Sequence, residues 1–206
     1  MPATIFKSKS TNWTFTDIPN FEGKTVLITG SNSGLGFYTA KALAEKNAHV
    51  VLACRTLKKA NSAKDKLKLL NPEGKFSPLE LDLSDLNNVS EIGSKFSNDF
   101  ENLDLLINNA GIMHPPKTLS AQGFEIQFAV NHLAHMLLTL KLLPLIEKNE
   151  KSRIVTVTSG AQFFGKVGWN NLKAENYYNK WESYANSKLA NTVSYTHLTL
   201  PTKRIV

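Results

Sequence analysis

Tyr184 and Lys188 stand four apart in "YANSK", a spacing that stacks two side chains on one face of a helix. A phenol ordinarily titrates near ~10, and a neighbouring ammonium favours its ionised form, so the pair reads as a general acid/base. A second candidate is the loop "TGSNSGLG", Thr29 to Gly36. Glycines there permit a tight turn and let backbone N–H groups and a helix N-terminus approach a pyrophosphate. The run "VVLACRT" places Cys54 where an NAD-binding domain usually carries an acid for the ribose hydroxyls. Arg55 follows with a guanidinium fork suited to a 2′-phosphate, which predicts NADP(H) in preference to NAD(H).

Further along, Asp82 in "LDLS" either accepts from an adenine amine or neighbours a helix N-cap. Asn108, Asn109, Ala110 and Gly111 close another apolar run with small residues and amides, against which a cofactor could lie. Asn131 sits in the apolar helical run "VNHLAHMLLT" and needs a partner if buried. His132 and His135 share that run without further ligands patterned nearby, so packing or surface roles are expected and no metal.

These groups need a frame. "TVLIT", "AHVVLAC", "LDLLINNAG" and "SRIVTVTS" read as buried strands, and "FSPLELDLS" as a fifth, more alternating one. Between them lie helical segments with apolar residues three or four apart. Strand alternating with helix predicts an α/β fold, a doubly wound parallel sheet whose chemistry sits in the loops after the strands. A chain of 206 residues fits one domain. The single cysteine, Cys54, suits a reducing compartment. The start lacks a secretory core and "MLLTLKLLPLI" is interrupted by Lys141 and Pro144, so no membrane span and a cytoplasmic location are expected. The net charge of +7 arises from scattered residues, which argues against nucleic acid as partner.

In order, Gly30/Gly34/Gly36, Asp82, Asn108 to Gly111, Asn131, Ser159 and Tyr184/Lys188 resemble the short-chain dehydrogenase/reductase superfamily, from about Asn20 to Thr192. "VLACRT", "VNHLAHMLLT" and "YANSKLAN" are similar to its retinol dehydrogenase, protochlorophyllide reductase and WW-domain oxidoreductase branch. The resemblance implies a Rossmann fold and an NADP(H)-dependent oxidoreductase of apolar carbonyls or alcohols. Gly30, Ser31, Asn32, Ser33, Gly34, Leu35 and Gly36 would hold the cofactor with Arg55, Asp82, Leu83, Asn109, Ala110, Gly111, Tyr184 and Lys188. Ser159, with Thr158 as its rival, would bind the substrate oxygen and Tyr184 would exchange its proton. Lys188 would hold the nicotinamide ribose and favour the tyrosinate, and Asn131 would join a proton-carrying water chain.

Phe163, Phe164 and Trp169 are expected to wall the substrate pocket. A non-catalytic NADP(H)-sensing or partner-binding module on the same fold is the alternative. A full-length member would be expected to form a homodimer through its long helices. Residues 1–22 read as a leader and 23–192 as the dinucleotide-binding domain, cut short at its C-terminus, so activity is expected of the full-length protein and not of this chain alone. Residues 193–206, "VSYTHLTLPTKRIV", have few helix formers and read as an artefactual tail resembling a translated sequencing adaptor.

Overall fold

Five apolar runs form one parallel sheet in the computed structural model, which describes residues 13–199 and side chains through residue 194. They are β1 (Thr25–Thr29), β2 (His49–Cys54), β3 (Lys75–Glu80), β4 (Leu105–Asn108) and β5 (Arg153–Thr156), in the order β3-β2-β1-β4-β5. Every neighbouring pair is parallel, so each connection must cross over the sheet. The helices α1 (Gly34–Ala44), α2 (Leu57–Leu70), α3 (Leu86–Asp99) and α4 (Ile126–Ile146) lie in those crossovers, and α5 (Lys180–Thr199) follows β5. This is the expected α/β, doubly wound arrangement.

The two-residue period of a strand divides the core between the two faces. Leu27, Val51, Ala53 and Leu106 pack with Val89 and Phe96 of α3 and Leu138 and Leu142 of α4. Val26, Ile28, Val50, Leu52 and Ile107 pack with Ala40 and Leu43 of α1 and Ala63 and Leu67 of α2. Because both faces are covered, the central strands read as continuous apolar runs rather than alternating ones. Pro78, which has no N–H to donate, falls in the edge strand β3.

The chain winds from β1 outward to β3, then returns to β4 and winds the other way, which opens a crevice beyond the carboxyl ends of β1 and β4. At the opposite end of those strands the buried Asp104 ties them together. Its carboxylate accepts from Lys24 Nζ at 3.0 Å, the Thr25 N–H at 2.9 Å and Asn149 Nδ2 at 2.8 Å.

By length and composition α4 is long and apolar enough to cross a membrane. Its Leu138, Leu142, Leu145 and Ile146 are nevertheless buried in the core cluster that includes Phe96 of α3, so it is the central helix of that layer. Part of the expected leader also belongs to the core: Ile18 and Phe21 pack on the α1/α2 side, and the Phe21 N–H donates to the Lys46 carbonyl at 2.6 Å. Residues 1–12 of that leader and 200–206 of the expected tail lie outside the described residues. The helix does not stop at Thr192 as its weak helix formers suggested; α5 continues to Thr199. Helix propensities differ by only ~0.7 kcal/mol among ordinary residues, and extending an existing helix needs no new nucleus.

Candidate active site

The crevice between β1 and β4 holds a cleft of about 420 Å³. Gly30, Asn32, Ser33, Arg55, Asp82 and Leu83 line one part of it, and Asn109, Ala110 and Gly111 another. The remaining loop residues have other positions. Ser31 is buried with its hydroxyl 3.7 Å from Cys54 Sγ, so it closes the floor of the loop rather than facing the cleft. Burial also raises the Cys54 thiol pKa and keeps it protonated. Gly34 opens α1, Leu35 is exposed on its first turn, and Gly36 packs against the Gly30 carbonyl. The Asp82 carboxylate accepts from the N–H and hydroxyl of Ser84 through Oδ1, while Asp85 caps α3. Asp82 is therefore both the cap neighbour and a cleft-lining acid.

Thr29, at the end of β1, holds the cleft's two sides together. Its hydroxyl accepts from the Asn109 and Ala110 N–H groups, each at 3.0 Å, while Asn109 Nδ2 donates to the Thr29 carbonyl at 2.8 Å. With both lone pairs engaged, the Thr29 proton goes to His135 Nε2 at 2.9 Å. His135 is then neutral with its proton on Nδ1, which donates to the Asn131 carbonyl at 3.1 Å. Residues Ala129–Leu133 form a π-turn within α4, and Asn131 is at its centre. The Asn131 side chain is buried and fully used: Oδ1 accepts from the Ile112 N–H at 2.8 Å, and Nδ2 donates to the Ile112 carbonyl at 3.0 Å and Ser187 Oγ at 2.9 Å. His132, half-buried, pairs with Asn191.

Burial lowers the His135 pKa from 6.5 to about 4, with Lys188 and His132 adding repulsion. The unfolded chain takes up a proton near 6.5 that the folded chain refuses until about 4. Stability should therefore be intact at neutral pH and fall as pH drops through that window, by up to about 3 kcal/mol. Burial of His49 and His132 acts in the same direction, so the His135 share is read against His135→Gln. Urea midpoints between pH 7 and 4.5 should fall less steeply for that variant; equal slopes would remove His135 from the account.

A second cleft, of about 640 Å³, is lined by Ser159, Tyr184, Met113, His114, Phe164 and Trp181 among others. The structure brings Ser159 and Tyr184 together there and leaves Thr158 out of the lining. The Thr158 hydroxyl lies 3.0 Å from the Lys188 carbonyl and 3.1 Å from Gln162 Oε1, so it ties β5 to α5 and does not line the cleft. Ser159 starts a 3₁₀ turn, its Oγ accepting from the Ala161 N–H at 3.2 Å.

Lys188 is buried, which pulls its ammonium below its usual pKa; Nζ donates to the Val157 carbonyl at 3.2 Å and lies 5.8 Å from the Tyr184 ring centroid. A Cβ added to Gly111 would be 3.4 Å from both Lys188 Nζ and Asn131 Oδ1. Gly111 thus joins the first cleft to the Tyr/Lys pair.

Of the expected aromatic wall, only Phe164 lines this cleft; Phe163 and Trp169 are exposed elsewhere. Aromatic content marked the segment but not which rings border the cleft, and Met113, His114 and Trp181 line it beside the exposed Phe164. Lys59 carries no motif of its own in the sequence, yet from the first turn of α2 it lines the first cleft with Arg55. Among the described residues no cluster of His, Cys, Asp and Glu could hold a metal ion. The first cleft suits a dinucleotide: Gly30, Ala110 and Gly111 line it with little or no side chain, and Gly36 lets the start of α1 pack on the Gly30 carbonyl, which an added Cβ would meet at 2.5 Å.

The sequence model of the short chain dehydrogenase family matches residues 24–198. Retinol dehydrogenase 14 of Mus musculus is 43% identical over 179 residues, covering 82% of this chain and 54% of that protein. Retinol dehydrogenase 11 of Homo sapiens is 40% identical over 169 residues, covering 82% and 53%. The chain thus spans about half the length of these curated relatives. The crystal structure of an uncharacterized protein from Mycobacterium paratuberculosis superposes with a TM-score of 0.80 at 39% identity, covering 92% of this chain and 66% of that one. A short chain dehydrogenase from Shigella flexneri, solved with NADP, shares the fold at a TM-score of 0.71 and 22% identity, covering 89% and 73%.

Proposed function

The chain belongs to the short-chain dehydrogenase family, and from that premise we propose that it serves an NADP(H)-dependent oxidoreductase of apolar carbonyls and alcohols. The observation that carries this is the meeting of the two clefts. Ser159 and Tyr184 line one, Gly111 lines the other, and Lys188 and Asn131 converge on Gly111.

The nicotinamide, when bound, supplies or accepts the hydride. Gly30, Asn32, Ser33, Asn109, Ala110 and Gly111 hold the dinucleotide against the backbone, with Asp82 and Leu83 beside its adenine end. Ser159 Oγ fixes the substrate oxygen, and the Tyr184 hydroxyl gives that oxygen a proton in reduction or takes it in oxidation. The buried Lys188 ammonium holds the nicotinamide ribose and favours the tyrosinate. Asn131 fixes the backbone around Gly111 through Ile112, and through it the distance between the cofactor and Tyr184. Met113, Phe164 and Trp181 make much of the substrate wall apolar. That composition and the similarity to retinol dehydrogenases favour bulky apolar aldehydes, retinal among them. The lone cysteine favours a cytoplasmic setting.

The test is NADPH oxidation over a panel of aldehydes and ketones, by the full-length protein and by its Tyr184→Phe variant. Turnover that depends on Tyr184 supports the enzyme, whereas tight NADPH binding with no such turnover gives the sensing or partner-binding module instead.

NADP(H) preference rests on Arg55 and Lys59, two cations at one end of the first cleft, with no acid at the end of β2. Removing Arg55 takes away a charge-assisted contact, so Arg55→Ala should weaken NADPH binding by about 10-fold or more. Lys59→Ala should cost about half as much in free energy, roughly 3-fold, because an exposed ammonium is well hydrated. NADH affinity should stay unchanged in both, as followed by cofactor fluorescence. Equal losses for NADPH and NADH would count against a 2′-phosphate site.

A further inference from the structure

His114 carries two costs at once. Its backbone is left-handed, φ +59°, a region uncommon for any residue but glycine. Its Nε2 is also closed off from solvent with no hydrogen-bond partner, and such atoms in a native fold mark strain or function. Neither cost arises from a loose loop. Asn131 grips Ile112 at both its N–H and its carbonyl, the buried Gln127 accepts the His114 N–H through Oε1 at 2.8 Å, and the Tyr178 hydroxyl donates to the Pro115 carbonyl at 2.7 Å. Gln127 is itself fixed, donating through Nε2 to the Lys180 carbonyl at 3.0 Å.

What these bonds hold in place is an imidazole on the wall of the Ser159/Tyr184 cleft. It meets the Tyr184 ring edge-on, with centroids 5.7 Å apart, and Trp181 also packs against it. Trp181 is 64% exposed, and an outward rotation of its indole would uncover the imidazole to the cleft.

We propose that His114 is a substrate-contacting, specificity-determining residue. Through Nε2 it pairs with a second oxygen on the substrate, near the reacting carbonyl or alcohol. The preferred substrates are then diketones, hydroxyketones and their alcohols with an apolar body, ahead of plain hydrocarbon carbonyls. The reason is the asymmetry of buried polar groups: a site that offers a hydrogen-bonding atom discriminates strongly against a ligand that leaves it unpaired. This deepens the oxidoreductase reading and rests on it.

The experiment compares kcat/KM for a vicinal diketone and the monoketone of the same skeleton, with NADPH. His114→Asn tolerates the left-handed backbone but lacks the imidazole's reach, and His114→Phe keeps a ring against Tyr184 without nitrogens. The wild type should favour the diketone by about 10-fold or more, and both variants should lose most of that preference because kcat/KM falls further for the diketone than for the monoketone. No preference in the wild type, or equal losses for both ketones in a variant with an unchanged melting temperature, overturns the proposal. If the wild type shows no Tyr184-dependent turnover, the oxidoreductase reading fails on its own. The selectivity is then read from Trp181 fluorescence as each ketone is titrated onto the NADP⁺-loaded protein. A diketone bound more tightly than the monoketone by the wild type alone keeps the proposal, and equal affinities overturn it.

Discussion

Tyr184→Phe should lower kcat by about 10³-fold, the middle of what a positioned general acid contributes. It should leave NADPH affinity within about 3-fold, because the change deletes one oxygen and no cofactor-holding charge. The geometry makes it a clean test. The ring remains to meet His114 edge-on and to lie 5.8 Å from Lys188 Nζ, so the wall of the cleft keeps its shape. Ser159 stays in place through its bond to the Ala161 N–H and can still bind the substrate oxygen. What disappears is the route by which the proton reaches that oxygen. KM for the carbonyl should therefore change little while kcat collapses, the pattern of an interaction made only in the transition state. A variant that keeps more than about a tenth of wild-type kcat would show that another group supplies the proton. Ser159→Ala should act on the same step more mildly, and Thr158→Ala should act mainly on stability, because Thr158 bonds to the Lys188 carbonyl rather than facing the cleft.

The sheet was legible because parallel strands covered on both faces are apolar at successive positions through their middle, as Val26–Leu27–Ile28 and Val50–Val51–Leu52–Ala53 are. The cofactor loop was legible because its constraint is local: a tight turn and a close approach require glycine wherever the rest of the chain goes. Asn131 was suspicious for a local reason too, an amide on an apolar helical face. Its π-turn was not, since the sequence periods of α and π turns are too close to separate over five residues. The roles of His135 and His114 depend on partners far along the chain, Thr29 for one and Gln127, Tyr184 and Trp181 for the other. No local pattern encodes those meetings. Aromatic richness between β5 and α5 marked a surface but not its orientation, which is why Phe164 lines the cleft and Trp169 does not. The last helix shows the reverse error: weak formers after Thr192 suggested a break, yet they extend a helix whose earlier turns are already anchored by buried Ser187, Lys188 and Asn191.

Gly36→Ala should be the most damaging single-methyl change in the cofactor loop. The cause is contact rather than backbone conformation, because Gly36 does not adopt positive φ. A methyl there would lie 2.5 Å from the Gly30 carbonyl oxygen and 2.6 Å from Asn109 Nδ2. Neither neighbour can retreat. The Gly30 N–H is bonded to the Ala53 carbonyl at 2.8 Å, and Asn109 Nδ2 donates to the Thr29 carbonyl at 2.8 Å. The start of α1 would have to move away from β1, which is overpacking of the kind that costs roughly 1–3 kcal/mol. The same movement carries the helix N-terminus and its free N–H groups away from the pyrophosphate, so NADPH affinity should fall by about 30-fold or more. Gly34→Ala provides the control. Gly34 has φ +55° and nothing within 4 Å of an added Cβ, so it should cost about 1 kcal/mol of left-handed strain and leave α1 where it is. Urea midpoints and NADPH titrations of the two variants separate the causes. A Gly36→Ala protein that binds NADPH as well as Gly34→Ala does would mean that the close packing of α1 on Gly30 is not what shapes the cofactor site.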